Sequence, residues 1–258
     1  MKTSYYFKRI INDKVKMLFM IILVVLPILD LIFTFIYVPM GAYPEKADAN
    51  TFLTAGSASF VFISLMIYFL PVYLLIIAGD DCFEDALTGY RSVLISKWGK
   101  KSYVKTNIVK AFCISFSVIL FSLVLNLLMA HIIYSGSQYS QFDELLIYYD
   151  QSSLFYIEAN NPLLTNVCYI FTTSLLAGLI GAAGAALAMA IKNRKIVYPL
   201  LFLLWYLPQQ LDNSVLLALQ PFNEYELDTK IPIYIITSCI FIATTIVAAI
   251  KEIRYAKI

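Results

Sequence analysis

Apolar residues run along this chain in six long blocks, at positions 17–38, 58–79, 108–134, 163–191, 196–217 and 231–250, each bounded by charged or polar residues. A hydrocarbon core about 30 Å thick takes about 20 helical residues to cross, and every block reaches that length. The pattern predicts an all-α, polytopic membrane protein with six transmembrane helices in one domain over residues 1–258. The first block resembles a secretory leader, because basic residues precede it and Ala47-Asp48-Ala49 suits a cleavage site. Its apolar core is too long and the triplet lies too far beyond it, so an uncleaved helix is expected.

The positions between the blocks set the orientation. Lys2, Lys8, Arg9, Lys14 and Lys16 precede the first block; Arg91, Lys97, Lys100, Lys101, Lys105 and Lys110 follow the second; Lys192, Arg194 and Lys195 follow the fourth; Lys251, Arg254 and Lys257 follow the last. With six spans these all share one side, and Lys46 and Lys230 are the exceptions. Lys and Arg collect in cytoplasmic loops, so both termini are expected in the cytoplasm and the protein in the cell membrane. The opposite connections are acidic.

Two other segments carry a pattern. Over residues 3–16, Phe7, Ile10 and Ile11 recur at helical spacing, followed by Leu18, while Lys8, Arg9, Asn12, Asp13 and Lys16 fill the other side. This fits a helix lying in the cytoplasmic interface, or a cytoplasmic extension of the first span. The connection 80–107 begins acidic, turns modestly apolar around Val93–Ile95 and ends basic. It has room for one short helix, and reads either as a docking surface for another protein or as a solvated loop obeying the positive-inside rule.

Within the fourth block Gly178, Ala182, Ala186 and Ala190 recur every four residues, as do Ala177, Gly181 and Ala185, with Gly184 beside them. Small side chains let helices approach closely in lipid, so Gly178, Gly181 and Gly184 are helix-packing candidates, toward a neighbour in the chain or a second copy. The fifth block is interrupted by Pro208 and then Gln209, Gln210, Asp212 and Asn213. Either the helix stops short and 209–222 folds back as a re-entrant element, tolerated only under cover of protein or water, or the helix is kinked and continuous. Intramembrane polar groups are costly, which makes Asp30, Asn126, Gln209, Gln210 and Asp212 pathway candidates.

Composition agrees with the pattern and narrows the function. Apolar residues make up 60% and charged ones 14%, with mean hydropathy +0.77, against about 45–50% and about 25% in soluble domains. A net charge of +2 offers no basic surface for nucleic acid. Cys82, Cys113, Cys168 and Cys239 are far apart, without metal-ligand or disulfide-scaffold spacing. Gly99-Lys100-Lys101-Ser102 hints at a phosphate loop, but Leu94 and Lys101 stand where that motif needs Gly and Ser or Thr. A single histidine, His131, excludes a His-Glu-x-x-His metalloprotease, and no nucleophilic serine motif accompanies it. No catalytic, metal or cofactor site is expected in this chain.

The run Glu84-Asp85-Ala86-Leu87-Thr88-Gly89-Tyr90-Arg91-Ser92-Val93-Leu94-Ile95-Ser96-Lys97, followed by Lys100-Lys101-Ser102-Tyr103 and Lys110, resembles the acidic, Thr-Gly, basic-patch pattern of permease subunits of type-2 ATP-binding-cassette exporters. The layout of the fourth span, the basic connection Lys192–Lys195 and the polar break ending at Leu219-Gln220-Pro221 are similar too. The resemblance implies a coupling element at Glu84, Asp85, Leu87, Thr88, Gly89, Tyr90, Arg91, Val93 and Leu94 that seats on a separate cytoplasmic ATPase. ATP and magnesium would then bind that partner, and a second permease, identical or paralogous, would complete the pathway. Chains of this size resemble bacteriocin, lantibiotic-immunity and peptide-export permeases of Gram-positive bacteria, so an amphipathic peptide or other hydrophobic substrate is expected by analogy. A membrane scaffold or sensor that docks a cytoplasmic partner is the alternative.

Overall fold

The computed structural model describes residues 9–10, 12–37, 61–133, 149–210 and 214–255. Residues 3–8 and 11 of the interfacial helix expected over 3–16, and Asp212, lie outside these residues. Among the described residues the fold is all-helical. Its elements are α1 (Lys14–Tyr37), α2 (Val61–Tyr68), α3 (Leu70–Leu74) running into a π turn (Leu75–Gly79), α4 (Asp81–Leu87), α5 (Tyr90–Trp98), α6 (Lys100–Ile133), α7 (Leu154–Asn160), α8 (Pro162–Ile191), α9 (Arg194–Gln209), α10 (Val215–Leu219) and α11 (Leu227–Tyr255).

Four helices, α1, α6, α8 and α11, are long and apolar enough to cross a membrane, an arrangement compatible with a membrane protein. The second expected span, 58–79, is not straight: α2 and the α3–π segment meet at 57° and together make a fifth candidate. Pro71 explains the break, since a proline at the start of α3 cannot continue the hydrogen-bond ladder of α2. The π turn then closes with Asp80 N–H donating to the Leu75 carbonyl at 2.8 Å, five residues back. In the fifth block the helix stops short, one of the two readings its polar interruption allows. Helix α9 ends at Gln209 after 16 residues, about 24 Å of rise, and a separate short helix, α10, begins after the N-cap Ser214.

Helix α8 lies at the centre, packed against α6, α11, α9, α3 and the π turn. Its small residues make this possible. A Cβ on Gly178 would meet the Phe112 ring, one on Gly181 would overlap the Ser115 side chain, and one on Gly184 would sit 3.0 Å from Leu201. Packing of this closeness is what holds helices together where the solvent is as apolar as the side chains. By contrast α1, α6 and α11 leave rows of large apolar residues exposed, among them Ile21, Phe121 and Val247.

Two prolines inside the bundle are compensated by neighbours. Pro27 in α1 has no N–H to give the Leu23 carbonyl, and Ser122 Oγ of α6 donates to that oxygen at 2.7 Å instead. One turn on, Asn126 Nδ2 donates to the Pro27 carbonyl at 2.8 Å. Pro71 likewise strands the Ile67 carbonyl, which takes the Trp205 indole N–H of α9 at 2.8 Å. In an apolar surround an unpaired carbonyl costs about 1–3 kcal/mol, so these side chains both satisfy the carbonyls that the prolines strand and fix which helix lies beside them.

Candidate functional site: a helical elbow and its ionic base

The connection between the second and third apolar blocks folds as two short helices, α4 and α5, where the sequence suggests one. Helix α6 starts at Lys100, so the last part of 80–107 is already helix. The turn between α4 and α5 is Thr88-Gly89. Thr88 ends α4, its hydroxyl donating to the Glu84 carbonyl at 2.8 Å. Gly89 has φ +74° and nothing within 4 Å of where a Cβ would stand. That left-handed conformation is strained for any residue with a side chain, which accounts for the glycine.

The elbow has two faces. Leu87 is 75% exposed, Val93 55% and Tyr90 38%, so the tip is an apolar patch in a charged neighbourhood. The inner face is buried and ionic. Asp81, 1% exposed, is paired with Arg9 at 3.1 Å, with Lys110 of α6 at 2.9 Å and with Lys16 of α1. Arg9 also holds Asp85 at 2.6 Å and Glu84 at 3.0 Å. Asp80, one residue before α4, accepts from Arg194 at 2.7 Å and from the Tyr198 hydroxyl at 3.3 Å, both of α9. Phe83 stacks on Tyr198 and lies under the Arg194 guanidinium. Arg91 of α5 pairs with Glu252 near the end of α11.

The electrostatics follow from this crowding. Burial alone would raise the Asp81 carboxyl, but Lys110, Lys16 and Arg9 outweigh it and hold it at about 2. For Asp85 and Asp80 burial wins: both sit above the ordinary carboxylate value despite Arg9 and Arg194 respectively. Asp81 is therefore the firmly ionised centre of the cluster.

The nine residues of the expected coupling element divide between these faces. Leu87, Thr88, Gly89, Tyr90 and Val93 form the tip; Glu84 is half-exposed beside Arg9; Asp85, Arg91 and Leu94 are buried and fasten the elbow to the bundle. Reading the sequence alone leaves out Asp80 and Asp81, the residues on which the fastening turns. The available signal was an acidic pair directly after an apolar block on the basic side, against the charge bias. It also puts Lys16 on a polar helix face, whereas the structure buries it against Asp81.

The pathway candidates do not converge. Asp30 is buried in α1, Asn126 is occupied by Pro27, and Gln209 is buried with neither side-chain amide atom bonded among the described residues. Gln210 caps the end of α9, its N–H donating to the Leu207 carbonyl. His131 makes a local contact of 2.9 Å with the Leu127 carbonyl. Among the described residues no three His, Cys, Asp or Glu side chains are placed to hold a metal ion.

A second buried charge pair lies at the other end of α8. Glu158 of α7 accepts from Lys230 of α11 at 3.3 Å, from the Tyr169 hydroxyl at 2.6 Å and from the Phe222 N–H at 2.7 Å. Glu226 accepts from the first N–H of α7, at Leu154, and Tyr149 donates to Glu224 at 2.7 Å.

No family model and no solved structure matches the chain. It is 28% identical over 248 residues, 96% of either chain, to the uncharacterized protein YybM of Bacillus subtilis strain 168. The likeness therefore extends along nearly the whole chain and brings no activity with it.

Proposed function

We propose that the chain is the membrane subunit of an ATP-driven exporter of the type-2 ATP-binding-cassette kind, and that the α4–α5 elbow docks a separate cytoplasmic ATPase. The observation that carries the reading is the two-faced elbow. An apolar tip formed by Leu87, Tyr90 and Val93 stands on a base tied by ion pairs to the segment before α1, to α6, to α9 and to α11. A partner pressing on such a tip moves the ends of several helices together rather than bending a loose loop.

Six spans with both termini in the cytoplasm belong to the same reading, with α2–α3 as a bent second span and α9 with α10 as a short, broken fifth. It is supported by the gathering of Arg9, Lys16, Lys110 and Arg194 at the elbow end while Lys230 lies at the other. ATP and magnesium belong to the partner, a second permease pairs with this one, and the exported compound is amphipathic or hydrophobic. A scaffold or sensor that docks a cytoplasmic protein through the same tip is the competing reading, and the same apolar patch favours it equally.

Gly89→Trp separates them. The substitution puts a large side chain at the tip, where its Cβ meets nothing within 4 Å, and the left-handed backbone confines its strain to the α4–α5 turn, so membrane insertion is expected to survive. In vesicles reconstituted with the ATPase, substrate flux per ATP hydrolysed is expected to fall at least tenfold. Flux by the chain alone, or flux untouched by Gly89→Trp, contradicts the proposal; partner binding with no ATP-dependent flux of any kind leaves the scaffold standing.

A further inference from the structure

Between α7, the first turns of α8, α10 and the start of α11 lies a cavity of about 390 Å³, within the range of sites that hold small ligands. Most of its wall is hydrocarbon, from Leu154, Ile157, Leu164, Ala218, Leu227 and Ile231. Leu164 is also 65% exposed, and Ile157, Leu227 and Ile231 are exposed with it. The hollow and the apolar outer surface of the bundle therefore meet at the same side chains.

One wall is polar and buried. Lys230 and Glu158 both line the cavity. The Lys230 ammonium donates to Tyr169 Oη at 2.8 Å and to Glu158 Oε1 at 3.3 Å. An ammonium has three protons to donate, and these two bonds are the ones it makes among the described residues. Glu158, by contrast, already takes Tyr169, Phe222 and Lys230. Besides the amide of the exposed Asn161, what the polar side of the cavity still has to offer is one N–H of a cation, and most of the remaining lining offers contact with hydrocarbon.

We infer that the cavity binds a single-chain amphiphile with a carboxylate head, its chain along Leu164, Ile231 and Leu227 and one head-group oxygen taking the third N–H of Lys230. A hollow of about 390 Å³ seats one chain, and a two-chain bilayer lipid would have to leave its second chain on the outer surface. The inference stands apart from the ATPase proposal, because it concerns equilibrium binding to the permease chain alone.

The molecule supplies its own control. A groove of similar size, about 400 Å³, lies between α1 and α6, lined by Met20, Val24 and Phe121 among others and without a charged residue. The full chain in phosphatidylcholine nanodiscs would be exposed to a stearic acid carrying a photoactivated diazirine, and the labelled peptides mapped by mass spectrometry. Labelling of α7, the start of α8 and the start of α11 is expected to exceed that of the α1–α6 groove at least tenfold. Excess stearic acid should abolish it, and excess octadecane should not. Leu164→Trp, at the exposed mouth, is expected to reduce it with no loss of folded protein. Because removing Lys230 alone strands Glu158, the head-group contact is tested with the paired Lys230→Gln and Glu158→Gln variant, which should lose the preference for acid over alkane. Equal labelling of the two grooves, equal competition by acid and alkane, or an unchanged preference in the paired variant overturns the inference.

Discussion

The two ends of α8 both carry buried charge, but the charge is arranged for different ends. At the elbow end one carboxylate, Asp81, is surrounded by Arg9, Lys16 and Lys110, and its neighbours Asp80 and Asp85 reach Arg194 and Arg9. At the other end a single pair, Glu158 and Lys230, sits in the wall of a hollow. The first arrangement joins segments far apart in the chain into one block. The second places a cation that makes two hydrogen bonds in the lining of a cavity. Buried ion pairs add little net stability when intact, yet breaking one by removing a single partner costs about 3–5 kcal/mol. The contrast thus predicts how each end responds to loss of its carboxylate.

The largest effect is expected from Asp81→Asn. Three cations would be left around a neutral amide, and the loss should approach about 3–5 kcal/mol, read as a lowered thermal midpoint of the purified protein in detergent and as release of the segment around Arg9 to protease. A midpoint close to that of the unaltered protein would show that the cluster does not fasten the elbow. Glu158→Gln should cost less, about 1–3 kcal/mol, because the cavity lets water or a ligand reach Lys230. If the two substitutions prove equal, the difference drawn between the ends is wrong. Smaller still is the repair of the proline breaks. Trp205→Phe keeps one aromatic ring but removes the N–H on the Ile67 carbonyl and part of a fully buried side chain, for about 1–2 kcal/mol, while Trp205→Leu should cost more through lost packing.

The same contrast marks what was legible in the sequence. Length and hydropathy give α1 and α8 nearly to their ends and the apolar middles of α6 and α11, whose helices start at Lys100 and Leu227, ahead of the apolar runs, because a long apolar run has few ways to satisfy its backbone other than a helix. The small-residue stripe of α8 indicated close packing, and the structure supplies Phe112, Ser115 and Leu201 as the neighbours. The bend before Pro71 was hidden by hydropathy windows that count proline as one more residue in a run, whereas the early stop of α9 was one of the two readings left open by the polar interruption after Pro208. The site was half legible. Thr88-Gly89 and the apolar residues around it stand out in sequence, but the pairing of Arg9 with Asp81, Glu84 and Asp85 joins positions more than 70 residues apart, as the hydrogen bonds with sequence separations of 75 and 76 show. Charge sorting tells which side such residues occupy, not which of them meet. Ser122, which spares the Leu23 carbonyl, carried no signal beyond its place one turn before Asn126 on α6.

The account turns on the claim that the elbow tip is a docking surface for an ATPase, and two adjacent residues of α5 test it. Val93 is 55% exposed and Leu94 3%, so a photoreactive amino acid at each samples the tip and the base of one helix. Irradiated in cells that express the full chain, the probe at Val93 is predicted to cross-link a cytoplasmic protein that carries the nucleotide-binding motifs of an ATP-binding-cassette ATPase, and the probe at Leu94 to cross-link within the chain. A Val93 probe that reaches nothing but lipid or the chain itself would contradict the account.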